Sequence, residues 1–409
     1  MSKKSSSQLS SRAVLTALAV VSVLMVITTQ AAQAQTLTVL HSFSGGADGD
    51  SPSAGLTMDK GENLYGTTEY GAAGSGTVFK LSHSGSGWVL STLYTFQGGN
   101  DGGYPEARVV FGPDGGLYGT TSAGGFDGFG TVFELRPPAT ACKSASCPWA
   151  ETVLYRFQGG SDGVGPAYGD LTFDQMGNLY GTTLGGGLEL CGGSCGVVFE
   201  LTRSNGGWAE SVLYSFTGGN DGGTPYSGVI LDSSSNLYGT AYSGGADSAG
   251  TVYELTPSGS GWTEKTLTDF AGGGGFPLGG LTFDPQGNLY GTGFAGGTAF
   301  ELQPSNGSWG YNLLYTFNGF DGPFGSLTLD ASGNLYGTNA TGGAYDQGFV
   351  FKLTPSNGGW NFTDLYDFTG GNDGAFPVSN VILDAKGNLY GTTYLGGTDG
   401  FGVVWEFTP

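Results

Sequence analysis

The chain has 409 residues, 81 of them Gly, 26 Phe and 21 Tyr, and only 11% are charged. With 13 Lys+Arg against 34 Asp+Glu, a net charge of −21, it lacks the basic footprint that nucleic acid or an anionic lipid surface requires. The aromatic content argues against disorder, and the many glycines between short Val/Tyr/Thr-rich runs point to an all-β chain.

The first 34 residues read as a signal peptide. Lys3, Lys4 and Arg12 give a basic start, Ala13 to Thr29 is apolar, and Ala32-Gln33-Ala34 offers the small residues at which an export peptidase cuts. The mature chain, residues 35–409, would be more acidic still. No later stretch is apolar for long enough to span a bilayer as a helix. An exported, secreted or cell-surface monomer is expected.

From there one sentence recurs seven times, centred on Tyr65, Tyr118, Tyr180, Tyr238, Tyr290, Tyr336 and Tyr390. Each Tyr stands in a variant of Asn-Leu-Tyr-Gly-Thr-Thr, at intervals of 46 to 62 residues, the length of a four-stranded propeller blade. In the first copy, Ser53 to Asp59, Asn63 to Thr68, Gly76 to Leu81 and Trp88 to Phe96 read as four strands with turns between them. The seventh copy ends at a third strand, Val403 to Phe407. Residues 36–43, with Leu40-His41-Ser42-Phe43, match the fourth-strand pattern with His in place of Tyr. The predicted fold is a seven-bladed β-propeller closed by its N-terminal strand, which removes an exposed sheet edge.

The repeated Asn-Leu-Tyr-Gly-Thr-Thr hairpin, followed by Gly-Gly and Gly-Thr-Val-Phe-Glu-Leu, resembles the GloVer-type ("choice-of-anchor") tandem-repeat family of exported bacterial proteins. The resemblance implies an exported repeat protein and supplies no catalytic residue. Members of that family often carry a C-terminal anchoring segment. This chain ends on a strand, so release is expected over anchorage.

A residue present in every blade holds the ring together, so function is sought where the copies differ. Ten residues before each motif Tyr stand Gly55, Arg108, Asp170, Gly228, Gly280, Ser326 and Asn380; two residues earlier stand Ser53, Glu106, Tyr168, Tyr226, Leu278, Phe324 and Val378. These positions should converge on one mouth of the central channel. Arg108, Asp170, Tyr168, Tyr226, Phe324 and Asn380 are the candidate ligand contacts, with aromatic faces and hydroxyl-bonding groups suited to a glycan or protein ligand. The bland alternative is a solvated rim with an Arg108–Asp170 ion pair between neighbouring blades.

Catalysis has little support in the residue inventory. There are two histidines, His41 in a structural Tyr position and His83 in a short loop, which disfavours a Ser-His-Asp triad or a His-based metal site. A carboxylate pair such as Glu106 with Asp170 could serve the acid–base chemistry of a glycosidase or lyase, but with 34 acidic residues some pair must fall close by chance. The remaining alternative is a purely structural surface protein. The blade crossings repeat Gly-Gly-Asn-Asp-Gly, and their acids (Asp48, Asp101, Asp162, Asp221, Asp321, Asp373) are either weak Ca²⁺ ligands or turn caps, with turn caps favoured. No cofactor is expected. The Trp residues that open the fourth strands read as inter-blade packing. Cys142 with Cys147, and Cys191 with Cys195, read as two local disulfides, each pinning an extended loop.

Overall fold

The computed structural model describes residues 35–409, except 72–73, 86, 139–147, 189–194, 205, 260, 272–273 and 318–321. Residues Leu37–Thr408 form one unit, a seven-bladed β-propeller of four-stranded antiparallel sheets. The N-terminal strand, Thr36–Ser42, pairs with Val403–Thr408 as the outer edge of the last blade, and Phe43 N–H donates to Gly402 O. Velcro closure by the N-terminal strand is therefore the observed topology. The signal-peptide reading of residues 1–34 lies outside the described residues. No described helix is long and apolar enough to cross a membrane.

The structure gives each letter of the motif a job. In the second strand of the first blade, Leu64–Thr68, all five residues are buried, because neighbouring blades cover both faces of the sheet. Period-two alternation sends Leu64 one way, into a cluster with Tyr390 and Val404 of the last blade. It sends Tyr65 the other way, into a cluster with Val109, Leu117 and Phe133 of the second. Gly66 pairs across the sheet with Phe79, whose ring lies over it so closely that a Cβ would stand 2.6 Å from Cζ. Asn63 binds the turn carboxylate Asp59 through Nδ2, and Tyr65 donates its hydroxyl to the same carboxylate at 3.0 Å. In five blades a third-strand Glu also accepts from the motif Tyr, as Glu200 does from Tyr180 at 2.9 Å. In the other two, Lys80 and Lys352 lie 5.4 Å from the centroids of the Tyr65 and Tyr336 rings.

The first Thr of the motif ties blade to blade. Thr67, Thr182, Thr240, Thr292, Thr338 and Thr392 each donate Oγ1 to a carbonyl on the inner strand of the next blade, at Ala107, Ser227, Gly279, Gly325, Ser379 and Ala54 respectively. This explains one departure from expectation. The inner strand expected over Ser53–Asp59 pairs with its own sheet only at Thr57–Met58. The carbonyl of Ala54 is instead taken by the neighbouring blade, as five of its six counterparts are around the ring. The tryptophans pack as read: Trp88, Trp149, Trp208, Trp309 and Trp360 lie edge-on to the motif Tyr of the preceding blade, at 6.0–6.5 Å between centroids.

Candidate binding site at the channel mouth

The inner strands surround a cavity of about 1360 Å³, and all six candidate contacts, Arg108, Asp170, Tyr168, Tyr226, Phe324 and Asn380, line it. Its wall is not uniform. Tyr168 and Tyr226 stack with centroids 5.5 Å apart, and Tyr226 continues to Tyr242 at 5.1 Å and on to Phe276 at 5.2 Å. Phe294 meets Phe324 edge-on at 5.0 Å further round. This half of the mouth is an aromatic belt. Arg108 Nη2 and Asp170 Oδ2 form an ion pair at 2.8 Å between the second and third blades, and the Arg108 backbone N–H donates to the same carboxylate. The bland expectation for that pair is met: Arg108 is already neutralised.

The third blade breaks the repeat. In six blades three residues separate the inner-strand Pro from the next buried Leu or Val, as from Pro105 to Val109; in the third, four lie between Pro166 and Leu171. The extra residue folds into two tight turns, Ala167 N–H to Gly165 O and Gly169 N–H to Ala167 O. Between them Tyr168 is held at φ +45°, a left-handed conformation that a bulky side chain rarely adopts. The residue is 44% exposed and lines the cavity. Thr120, whose six counterparts tie blade to blade, is buried here with no partner for Oγ1. The seam between the second and third blades thus lacks the repeated bond and carries the Arg108–Asp170 pair.

A second set of variable residues stands four positions after each motif Tyr: Glu69, Ser122, Leu184, Tyr242, Phe294, Ala340 and Tyr394. Glu69, Tyr242, Phe294 and Tyr394 line the cavity and were missed by counting only backwards from the motif. Beside Tyr168, at one end of the aromatic belt, Glu69 and Glu106 form an acidic corner. Burial, and then repulsion from Glu69, pushes Glu106 up to about 7 against a smaller opposing pull from Ser122. Tyr70 and Tyr394 hydrogen-bond Glu69, and the phenols of Tyr168 and Tyr394 are pushed up by burial and these carboxylates.

The crossing aspartates cap turns. Asp101 accepts from Gln97 N and Tyr94 OH, Asp162 from Gln158 N and Tyr155 OH, and Asp221 and Asp373 are held in the same way. His41 bonds Asp48 at 3.1 Å in the place of that Tyr, and His83 packs on Trp88 with centroids 3.8 Å apart. Asp321 lies outside the described residues, among which no group of three metal-ligating side chains occurs. Cys195 is buried and disulfide-bonded. Cys142, Cys147 and Cys191 lie outside the described residues, so both expected pairings do too.

Fold and site define a seven-bladed propeller with an asymmetric, aromatic and acidic channel mouth. The chain belongs to the Gloeobacter/Verrucomicrobia repeat family, whose model matches residues 24–192, 145–322 and 293–409. No protein of curated function matches the sequence. Among solved structures it is similar to a catalytically inactive virginiamycin B lyase from Staphylococcus aureus with quinupristin (15% identity, TM-score 0.59, 92% of this chain and 99% of that one). It is also similar to a streptogramin B lyase (16%, 0.57, 91% and 97%). A third is the extracellular domain of a two-component system protein from B. thetaiotaomicron (13%, 0.55, 90% and 39%). At these identities the likeness is one of fold.

Proposed function

We propose that this is an exported, non-enzymatic binding module that takes a saccharide at the channel mouth. The observation that carries the reading is the stacked Tyr168–Tyr226 pair, displayed by a one-residue insertion in only one blade, on the wall of a cavity of about 1360 Å³. Positive φ recurs in five other blades just before the inner-strand Pro, at Ser51, Tyr104, Thr224, Phe276 and Phe376, whereas Tyr168 takes it two residues after the Pro and outside the repeat, where strain is not part of the scaffold. Flat aromatic faces beside Ser326, Asn380 and carboxylates match a sugar ring's apolar face and hydroxyl edge, and a concave site of this size suits an oligosaccharide better than a flat protein epitope. The test is a glycan array followed by calorimetry. Wild type should bind, Tyr226→Ala should weaken binding at least tenfold with its melting temperature kept, and equal binding by the two proteins would refute the site.

A second reading, acid–base chemistry on a saccharide, draws on Glu106: a partly buried carboxyl near 7 beside a second carboxylate has the properties of a general acid. Product release from a polysaccharide, lost in Glu106→Gln, would establish it over the first.

A further inference from the structure

Arg108 is the only basic side chain among the described residues lining the cavity, and Asp170 holds it at 2.8 Å. Glu69 and Glu106 have no such counter-ion. The carboxylates at the opposite end of the channel, Asp284 and Asp330, are occupied by Asn288 and Asn334 and by motif tyrosines. The mouth therefore carries two carboxyl groups without a counter-ion, Glu106 being only partly ionised near pH 7, beside the electron-rich face of Tyr168. Ser53, at the position equivalent to Glu106 in the first blade, lines the same cavity with a buried hydroxyl that has no hydrogen-bond partner.

We infer that the saccharide bound at this mouth carries a free amine, whose ammonium group sits between the Glu69 and Glu106 carboxylates and the Tyr168 ring while a neighbouring sugar ring lies along Tyr226 and Tyr242. The inference rests on the saccharide reading above and specifies it. An ammonium supplies the missing counter-charge, donates to carboxylate oxygens, and is attracted to the negative face of a tyrosine ring. An anionic saccharide such as a uronate would face two carboxylates with no free cation to receive it, and a neutral N-acetylated sugar would leave the repulsion between Glu69 and Glu106 in place. Placing Tyr168 in this corner is what the inserted residue of the third blade achieves.

The experiment is calorimetry at pH 6.5 with four probes: oligomers of glucosamine, of N-acetylglucosamine and of galacturonate, and a lysine oligomer. The expected result is glucosamine oligomer bound at least tenfold more tightly than the N-acetylated one, with no binding of galacturonate. Glu69→Gln and Glu106→Gln should each bring that preference down to near parity; Glu106→Gln guards against misfolding, since Glu69 also accepts from Tyr70 and Tyr394. If the N-acetylated or anionic oligomer binds as well as the cationic one, and Tyr226→Ala still weakens it, the binding site stands and the charge inference falls. Preference for the lysine oligomer overturns the saccharide in favour of a peptide, and binding of none of the four overturns the amine inference, while the saccharide reading falls only if the glycan array is also blank.

Discussion

Two tyrosines separate scaffold from candidate site. Tyr180, in the motif of the third blade, is 5% exposed and packs among Val229, Leu237, Tyr253 and Leu255 of the fourth. Its hydroxyl donates to Glu200 at 2.9 Å and lies 3.3 Å from Asp174. Tyr180→Ala would remove a ring walled in by two blades, a change of the Phe→Ala kind that costs about 3–5 kcal/mol, and would leave two carboxylates without their donor. Unfolding entropy of roughly 2.1 cal/mol/K per residue over a propeller of this length converts that cost into a drop in melting temperature on the order of 5 °C. Tyr180→Phe keeps the packing and isolates the hydroxyl, at about 1–2 kcal/mol.

Tyr226 is half-buried, touches Tyr168 and Tyr242, and faces the cavity. Its truncation should cost less than about 1 kcal/mol, as for a substitution that opens no enclosed void. The assay is urea or thermal unfolding of the three variants beside wild type, followed by fluorescence and far-UV dichroism in parallel to check that the transitions coincide. A Tyr226→Ala protein less stable than Tyr180→Ala would refute the division between repeated and variable positions.

Three further outcomes follow from the geometry. Gly181→Ala would put a Cβ 2.6 Å from Phe199 Cζ and 2.9 Å from Leu171 Cδ2, so it should destabilise by about 1–3 kcal/mol and recover part of that in combination with Phe199→Leu, as chemical denaturation will measure. A chain starting after Gly45 loses the strand Thr36–Ser42 and the fully buried Phe43, so it should melt lower and aggregate sooner than one starting at Gln35; equal melting temperatures would contradict ring closure by that strand. On pH, burial and then a crossing aspartate push Glu151 and Glu210 up to about 7, and Glu264 is raised too, chiefly by burial. A raised carboxyl takes up its proton more readily folded than unfolded, so its contribution is present below about 4.5 and lost as pH rises through about 7. These groups are only about half buried, so solvent screening limits each to the order of 1 kcal/mol. Asp114, which partial burial alone would raise, is held at about 2 by Tyr118 and Arg203, and Asp59, Asp330 and Asp384 are lowered by Asn and backbone donors. Those contributions vanish as pH falls below about 4. Melting temperature should therefore fall between pH 5 and pH 8, a slope reduced in Glu210→Gln, and a rise across that window would refute the assignment.

The fold was legible in the sequence because each blade repeats the same solutions to the same contacts. Gly appears after the motif Tyr since an aromatic ring from the next strand covers it, and Thr follows because the neighbouring blade presents a carbonyl there. Spacing back from the Tyr found the inner ring of the mouth, including Tyr168, Tyr226 and Phe324. Glu69, Tyr242, Phe294 and Tyr394 escaped because they follow the motif, where a strand runs into a loop and periodicity says nothing about which side a residue faces. The insertion beside Tyr168 escaped for another reason: counting from the Tyr places Tyr168 correctly, and only counting from Pro166 as well shows the surplus residue. Packing also explains why that blade can differ. Six seams keep the Thr-to-carbonyl bond, so the ring does not depend on the seventh. Where Thr120 has no partner, the inner strand is released from the repeat and turns Tyr168 toward the mouth, while Arg108 and Asp170 hold the seam by charge. Redundancy of the scaffold is the physical condition that lets one copy leave the pattern.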